Sequence, residues 1–198
     1  MLLTNFKKHL IEKGGLSETD FVKIEPFIKT KRLAKGDFLL QQGDICSHAF
    51  FVEQGLLRLY AINEDGKENI LQFATENRIV SDRGSVYFKE PSNYYIDAFE
   101  DTLTVLIDTD FIDKVSQVNP DYRKQNERLL QNHIRYLYLR VSQLLGVSAR
   151  TRYLDFVEKH PDIMLRVPQW MIASYLGITP ESLSRVRKAL AQENFKPY

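Results

Sequence analysis

The sequence predicts an α+β fold: an N-terminal antiparallel β-roll, a long helix, and a C-terminal pair of helices joined by a tight turn. Three observations carry this. Short apolar runs with a period of two recur from Phe38 to Ile107, with glycine at the corners. A helical pattern then runs without a break after Asn119-Pro120. Last, Val167 to Leu190 shows helical spacing on both sides of a single glycine, Gly177.

In chain order, residues 2 to 13 read as a short amphipathic helix with Leu3, Phe6 and Leu10 on the apolar side, stopped by Gly14-Gly15. Ser17-Glu18-Thr19-Asp20 resembles a helix start, with Phe21, Ile24 and Phe27 turned inward and Pro26 limiting its length. From Lys31 the period becomes two. Strands are expected at Phe38–Leu40, Ala49–Val52, Leu56–Tyr60, Asn69–Phe73, Tyr94–Ala98 and Thr102–Ile107. Turn signals separate most of them: Lys35-Gly36-Asp37, Gln42-Gly43-Asp44, Gln54-Gly55 and Glu64-Asp65-Gly66-Lys67. Short strands of this kind close into a roll or barrel.

After Ile107 the pattern turns helical. A brief helix starts at Thr109 or Asp110 and runs through Val115. Asn119-Pro120 is a start signal for a helix to about Leu145, before Gly146, which at 1.5 Å per residue is about 40 Å long. On it Leu130, Ile134, Leu137, Val141 and Leu144 recur at spacings of four and three, the seam of a short two-stranded coiled coil; the alternative is one buried helix in a monomer. Leu129, Tyr136, Leu139 and Leu145 lie off this seam, so they are expected to touch the rest of the protomer. Ser148 to Thr151 reads as a hinge, and Arg152 to His160 as a bracing helix ended by Pro161. The predicted units are therefore 1–118, 119–147 and 148–198.

In the last unit Trp170, Ile172 and Leu176 share one helical side, Ile178 plugs the turn, and Thr179 caps a second helix with Pro180 at its first position. Leu183, Val186 and Leu190 form that helix's buried side. Polar and basic side chains are left outward near its N-terminus, as in a helix-turn-helix that enters a major groove. Arg185 can donate two parallel hydrogen bonds to a guanine edge, and Glu181 can accept from a cytosine amino group. The alternative is an ordinary pair of core helices with a solvated face.

Composition bounds the function. With 198 residues, 43% of them hydrophobic, the chain can bury the cores of an ordinary domain and a small one. No apolar run approaches the ~20 residues of a membrane span. The opening MLLTNFKKHLIEKGG lacks the pattern of a signal peptide, so a cytoplasmic location is expected. The one cysteine, Cys46, rules out a disulfide or a cysteine-ligated cluster within the chain and reads as a structural thiol. The net charge of +1 hides a split. Residues 1–122 carry 14 Lys/Arg against 20 Asp/Glu, and residues 123–198 carry 13 against 6. An acidic front joined to a basic rear fits a sensor attached to a nucleic-acid-binding end.

The glycine corners, the run Phe51-Val52-Glu53-Gln54-Gly55-Leu56-Leu57-Arg58, Asp65-Gly66-Lys67, Ile172-Ala173-Ser174-Tyr175-Leu176-Gly177 and Glu181-Ser182-Leu183-Ser184-Arg185 stand in one order along the chain. Together they resemble the cAMP receptor protein/fumarate-nitrate regulator (Crp/Fnr) family of bacterial transcription factors. The resemblance implies a cyclic-nucleotide-binding-like roll, a homodimer on double-stranded DNA, and contact with RNA polymerase. It also implies base reading by Glu181, Ser184 and Arg185, and phosphate contacts from Gln169, Thr179, Arg187 and Lys188. The family's base-contacting arginine before the glutamate is here Pro180, so a related but different half-site is expected.

The ligand site departs from the family. Cyclic-nucleotide binders carry Phe-Gly-Glu and, about ten residues on, an Arg-Ser/Thr-Ala run. Here Val80-Ser81-Asp82 and Ser92-Asn93-Tyr94 stand in those places. Asp82 replaces the ribose-holding glutamate, and Ser92 the phosphate-neutralising arginine. A buried phosphate without a cation is costly, so cyclic AMP is not the expected effector. Arg83 could substitute for that cation, while Tyr87, Tyr94 and Tyr95 would instead make a partly aromatic pocket. The expected site is Asp82, Arg83, Tyr87, Ser92, Asn93 and Tyr94, with another effector or none. Heme stays open, but His9, His48, His133 and His160 are scattered and read as packed or surface residues, and no metal is expected.

After Leu190 the eight residues Ala191 to Tyr198 are too few for the family's β-hairpin wing. Two other functions compete with gene regulation. One is a protein-interaction or small-molecule-binding module whose helix-turn-helix no longer reads DNA. The other is a cupin-type enzyme, disfavoured because His48 has no histidine neighbour at ligand spacing and no nucleophile–base pair stands out.

Overall fold

The computed structural model describes residues 3–194 of the chain. Helix α1 (Thr4–Glu12) opens it, and buries Phe6 and Leu10. Its first amides lack intrahelical acceptors, and Glu53 of the roll supplies them, accepting from the N–H groups of Asn5 (2.9 Å) and Phe6 (2.8 Å). Helix α2 (Glu18–Ile24) starts in a capping box: Ser17 Oγ accepts from the Asp20 N–H, and Asp20 from that of Ser17. The chain then tightens into a 3₁₀ turn, Glu25–Phe27. Phe27 does not turn inward there; it is 45% exposed, with the Lys114 ammonium 4.4 Å from its ring centre.

Eight strands follow: β1 (Lys29–Leu33), β2 (Phe38–Leu40), β3 (Ala49–Gln54), β4 (Leu57–Ile62), β5 (Glu68–Ala74), β6 (Ile79–Val80), β7 (Tyr95–Ala98) and β8 (Thr102–Ile107). They pair antiparallel in two sheets of order β1-β8-β3-β6 and β2-β7-β4-β5. The period of two now has a physical meaning. Phe50 and Val52 of β3 point between the sheets, whereas Phe51 packs under α1 and α2. Leu57 and Leu59 of β4 point inward, whereas Tyr60 faces the C-terminal helices. Both faces of the roll are covered, which is why these strands read as nearly continuous apolar runs.

Two strands escape the pattern. β1 exposes four of its five residues, so Lys29-Thr30-Lys31-Arg32 carries no apolar alternation. β6 has two residues. Between β6 and β7 lies a further short helix, α3 (Arg83–Phe88), capped by Asp82. Gly55 turns from β3 to β4 with φ 101°; a Cβ there would stand 2.6 Å from the Asp101 carbonyl oxygen.

Helix α4 (Thr109–Val118) is capped by Asp108. The long helix α5 (Tyr122–Gly146) begins later than Asn119-Pro120 suggested, because Asn119 Oδ1 accepts from the Asp121 N–H (3.0 Å) and holds a turn before the helix. The expected hinge at Ser148–Thr151 is helical instead: Ser148 caps α6 (Ala149–Lys159), and only Val147-Ser148 separates the two. A one-turn helix, α7 (Ile163–Arg166), precedes α8 (Gln169–Tyr175) and α9 (Pro180–Asn194). The short C-terminal tail continues α9 to Asn194, and residues 195–198 lie outside the described residues.

The roll and the C-terminal helices share one core. Tyr60, Ile70 and Phe73 of the roll pack with Tyr153, Phe156, Ile172 and Leu183. Trp170 is not part of it. At 41% exposed it faces outward, and Met171, buried at 3%, takes the inward position. Of the off-seam residues of α5, Tyr136 reaches the C-terminal helices and Leu129 lines a space against the roll, while Leu139 (60%) and Leu145 (85%) are mostly exposed.

Candidate functional site

The helix pair at the C-terminus is built by its turn. Gly177 takes φ 65°, a conformation disfavoured for any side chain, and Ile178 packs into the core behind it. Thr179 Oγ1 accepts from the Ser182 N–H (3.2 Å), so the second helix starts at Pro180 with its cap in place. Leu183 is 1% exposed and anchors α9 inward. Glu181, Ser184 and Arg185 are all exposed, as are Arg187 and Lys188. Arg185 Nη2 donates to Ser182 Oγ (3.1 Å), which holds the guanidinium beside the helix start. The Glu181 carboxyl lies below its ordinary range, mainly through backbone and Thr179 hydrogen bonds, with Arg185 and Lys67 adding to this. It is therefore ionised, the acceptor form that a cytosine amino group requires. The Thr179 hydroxyl is engaged in the cap, and Gln169 is half-buried with Oε1 inside and unpartnered among the described residues.

Two arginines hold this unit against the long helix. Arg140 of α5 lies 3.7 Å from the Tyr175 ring centre and donates to the Tyr175 carbonyl (2.8 Å). Arg152 of α6 donates to the Leu176 carbonyl (3.0 Å) and to that of Val147. These satisfy carbonyls that the ends of α8 and α5 leave open. Tyr136 and Tyr175 share a hydroxyl–hydroxyl bond of 2.7 Å. The Tyr175 hydroxyl is pushed up chiefly by burial, so it stays protonated.

The other side of α5 faces out. Ile134 (38%), Leu137 (45%), Val141 (53%) and Leu144 (38%) are exposed, and Leu130 is half-buried. Leu144 has a second contact, since a Cβ on Gly177 would stand 2.9 Å from its Cδ2.

The residues expected to form the effector pocket divide. Ser92 Oγ donates to Asp82 Oδ2 (2.7 Å) and accepts from the Tyr94 N–H (3.0 Å). Asp82 also accepts from the Ser85 N–H (3.1 Å). The two positions that would hold a ribose and a phosphate thus bind each other. Asn93 and Tyr94 adjoin this cluster in the chain, and Tyr94 packs on the core between the sheets. Tyr87 is not brought in; it is 80% exposed, edge-on to Phe88. Arg83 points elsewhere, into a space against α5.

Sequence reading missed two ionic clusters, one within the roll and one between the roll and the C-terminal unit. Arg58 makes two 2.7 Å bonds to Asp97, one of 2.6 Å to Glu68, and lies over the Tyr60 ring. Burial pushes the Tyr60 hydroxyl up to about 12. Arg166 of α7 grips Glu76 (2.9 Å) and Glu100 (2.7 Å) of the roll. Ser174 of α8 accepts from the Ile70 N–H and donates to the Glu68 carbonyl, both at 2.9 Å, tying α8 to strand β5. Charge at single positions gives no signal of such distant pairs. A charged residue inside an apolar strand, as at Arg58, was the one available clue.

Residues 30–119 match the model of the cyclic nucleotide-binding domain. Over 186 residues the chain is 29% identical to the transcriptional activator protein Anr of Pseudomonas aeruginosa, covering 87% of this chain and 75% of that one. Its fold is similar to that of FixK2 from Bradyrhizobium japonicum, with a TM-score of 0.71 at 16% identity over 86% of this chain and 88% of that one. It is also similar to CprK complexed with OCPA, with a TM-score of 0.67 at 20% identity over 90% and 86%. A roll joined by a long helix to a helix-turn-helix defines a regulator of transcription, not an enzyme. Over most of its length the chain is thus similar to the Crp/Fnr regulators of bacterial transcription, and its roll matches their cyclic nucleotide-binding domain.

Proposed function

We propose that this regulator binds a two-fold DNA site as a homodimer and answers to an effector other than cyclic AMP. One observation carries the DNA part: Glu181, Ser184 and Arg185 are exposed on one side of α9 while Leu183 on the other is 1% exposed. Glu181 and Arg185 read bases, with Ser184 between them; Arg187, Lys188, Gln169 and Thr179 set the helix on the phosphates. The units 1–118, 119–147 and 148–198 act as sensor, dimer helix and reader. The seam Leu130, Ile134, Leu137, Val141 and Leu144 meets its copy on a partner, so two recognition helices stand about one helical turn of DNA apart.

The bond between Asp82 and Ser92 supports the effector part. A phosphate there finds a hydroxyl and a carboxylate instead of a guanidinium. The protein works in the cytoplasm and contacts RNA polymerase. Among the described residues no helix is long and apolar enough to cross a membrane, and no group of three or more His, Cys, Asp and Glu could hold a metal ion. The test is competition between a palindromic promoter fragment and random DNA across a salt titration. Equal competition at every salt concentration rules out sequence-specific regulation.

A further inference from the structure

Where the roll, the long helix and the C-terminal unit meet, there is a cavity of about 470 Å³. That is within the size range of small-molecule sites. Its walls carry Lys13 of α1, Arg78 before β6, Arg83 of α3 and Lys159 of α6, and no aspartate or glutamate. Four arginines elsewhere, Arg58, Arg123, Arg150 and Arg166, each meet a carboxylate. Among the described residues Lys13, Arg78 and Arg83 meet none, and Lys159 has only Asp155 of its own helix, at 2.6 Å. Four like charges around one space repel one another and concentrate anions there.

The rest of the wall sorts into two kinds. Phe73, Tyr136, Phe156 and Tyr175 make an aromatic side. Three of the four histidines, His9, His133 and His160, are also present. His9 Nδ1 is buried without a hydrogen-bond partner among the described residues.

We propose that this junction cavity binds a small organic phosphate, its anionic end among Lys13, Arg78, Arg83 and Lys159 and its flat apolar part on the aromatic side. Of the residues expected to form the effector pocket only Arg83 lines it, while Asp82, Tyr87, Ser92, Asn93 and Tyr94 do not, so the site lies beside the pocket inside the roll and not within it. Lys13, Arg78 and Arg83 belong to the N-terminal part of the chain, and Lys159 to the helix that braces the reader. One anion therefore straps the two together and fixes how the reader sits on the long helix. Anion binding is a property of the free protein and does not depend on DNA recognition.

The histidines give the site a pH dependence. Burial and Lys13 lower His9 to about 4. Burial and Arg83 lower His133. Burial, Arg78 and Lys159 lower His160, against a partial offset from Asp162 and Asp155. All three are neutral near pH 7 in the empty cavity. A bound anion favours their charged forms, so binding takes up protons and tightens as the pH falls toward the lowered values of the empty cavity.

The test is calorimetry on the full chain with AMP, inorganic pyrophosphate and adenosine. AMP and pyrophosphate bind and adenosine does not; Arg78→Gln and Arg83→Gln each weaken AMP about tenfold, while Lys31→Gln and Ser92→Ala leave it unchanged. Arg78→Gln melts cooperatively near the parent temperature, which shows that the variant is folded, and AMP raises its melting temperature less than the parent's. For the pH arm the probe is 1,5-naphthalenedisulfonate, whose charges do not titrate. Its affinity rises toward low pH, and a flat profile removes the histidines from the site. Adenosine binding as tightly as AMP overturns the proposal, as does loss of AMP binding in Ser92→Ala but not in Arg78→Gln. Loss of DNA recognition with AMP binding intact strikes the regulator reading and leaves the cavity standing.

Discussion

At single positions, the charges that are buried and the charges that are exposed do different work. Arg58 and Asp97 are 8% and 5% exposed and bonded at two points, so neither can lose the other cheaply. Arg58→Ala leaves a carboxylate buried without its cation and should cost about 3 kcal/mol, read from urea unfolding. Arg185 is exposed, so its removal should leave stability nearly unchanged. Arg185→Ala should relax discrimination at one base pair by about 1–3 kcal/mol, whereas Lys188→Ala should weaken specific and random DNA alike, both measured by competition binding. Gly55 is a third kind of position. A methyl group there meets the Asp101 carbonyl at 2.6 Å in a backbone region closed to side chains, so Gly55→Ala should destabilise by about 1–3 kcal/mol in thermal unfolding.

Among elements, α5 carries the proposed dimer seam. One side of it packs on its own protomer through Tyr136 and Arg140, and the other presents the half-exposed row Ile134, Leu137, Val141 and Leu144. Leu137→Glu with Val141→Glu should convert the dimer to a folded monomer, seen as a halved mass in native mass spectrometry with the helical signal kept. The same monomer should lose most of its affinity for a palindromic site, because two linked readers bind far more tightly than one. The sequence pattern picked out this row because a helix repeats every 3.6 residues whatever it touches. It could not say which off-seam residue finds a partner. Tyr136 meets Tyr175 from 39 residues away, while Leu139 and Leu145, apolar and equally spaced, stay exposed.

For the whole molecule, the seat of the reader on the roll depends on a few ion pairs around Arg166. Burial raises the Glu76 carboxyl, but hydrogen bonds from Arg166 and Gly55 more than offset this and hold it below the ordinary carboxylate range. Its folded value is depressed, so the stability it contributes is present above the unfolded carboxylate value and is lost as the pH falls through the folded one. Hydrogen exchange should then show the joint between α7 and the roll opening below about pH 4.5, before the roll core does. Arg166→Ala should open the same joint at neutral pH.

The amino-acid sequence by itself determined six of the strands between Phe38 and Ile107, the long helix, the helix-turn-helix and the charge split, because each rests on local period, turn chemistry or counting. Tertiary structure alone decided the rest. It turned Met171 rather than Trp170 inward on α8, closed Asp82 onto Ser92, turned Arg83 away from them, and set Lys13 and Lys159 around one space. These outcomes depend on how distant surfaces meet, and the energy of such a meeting is written in no single stretch of the chain.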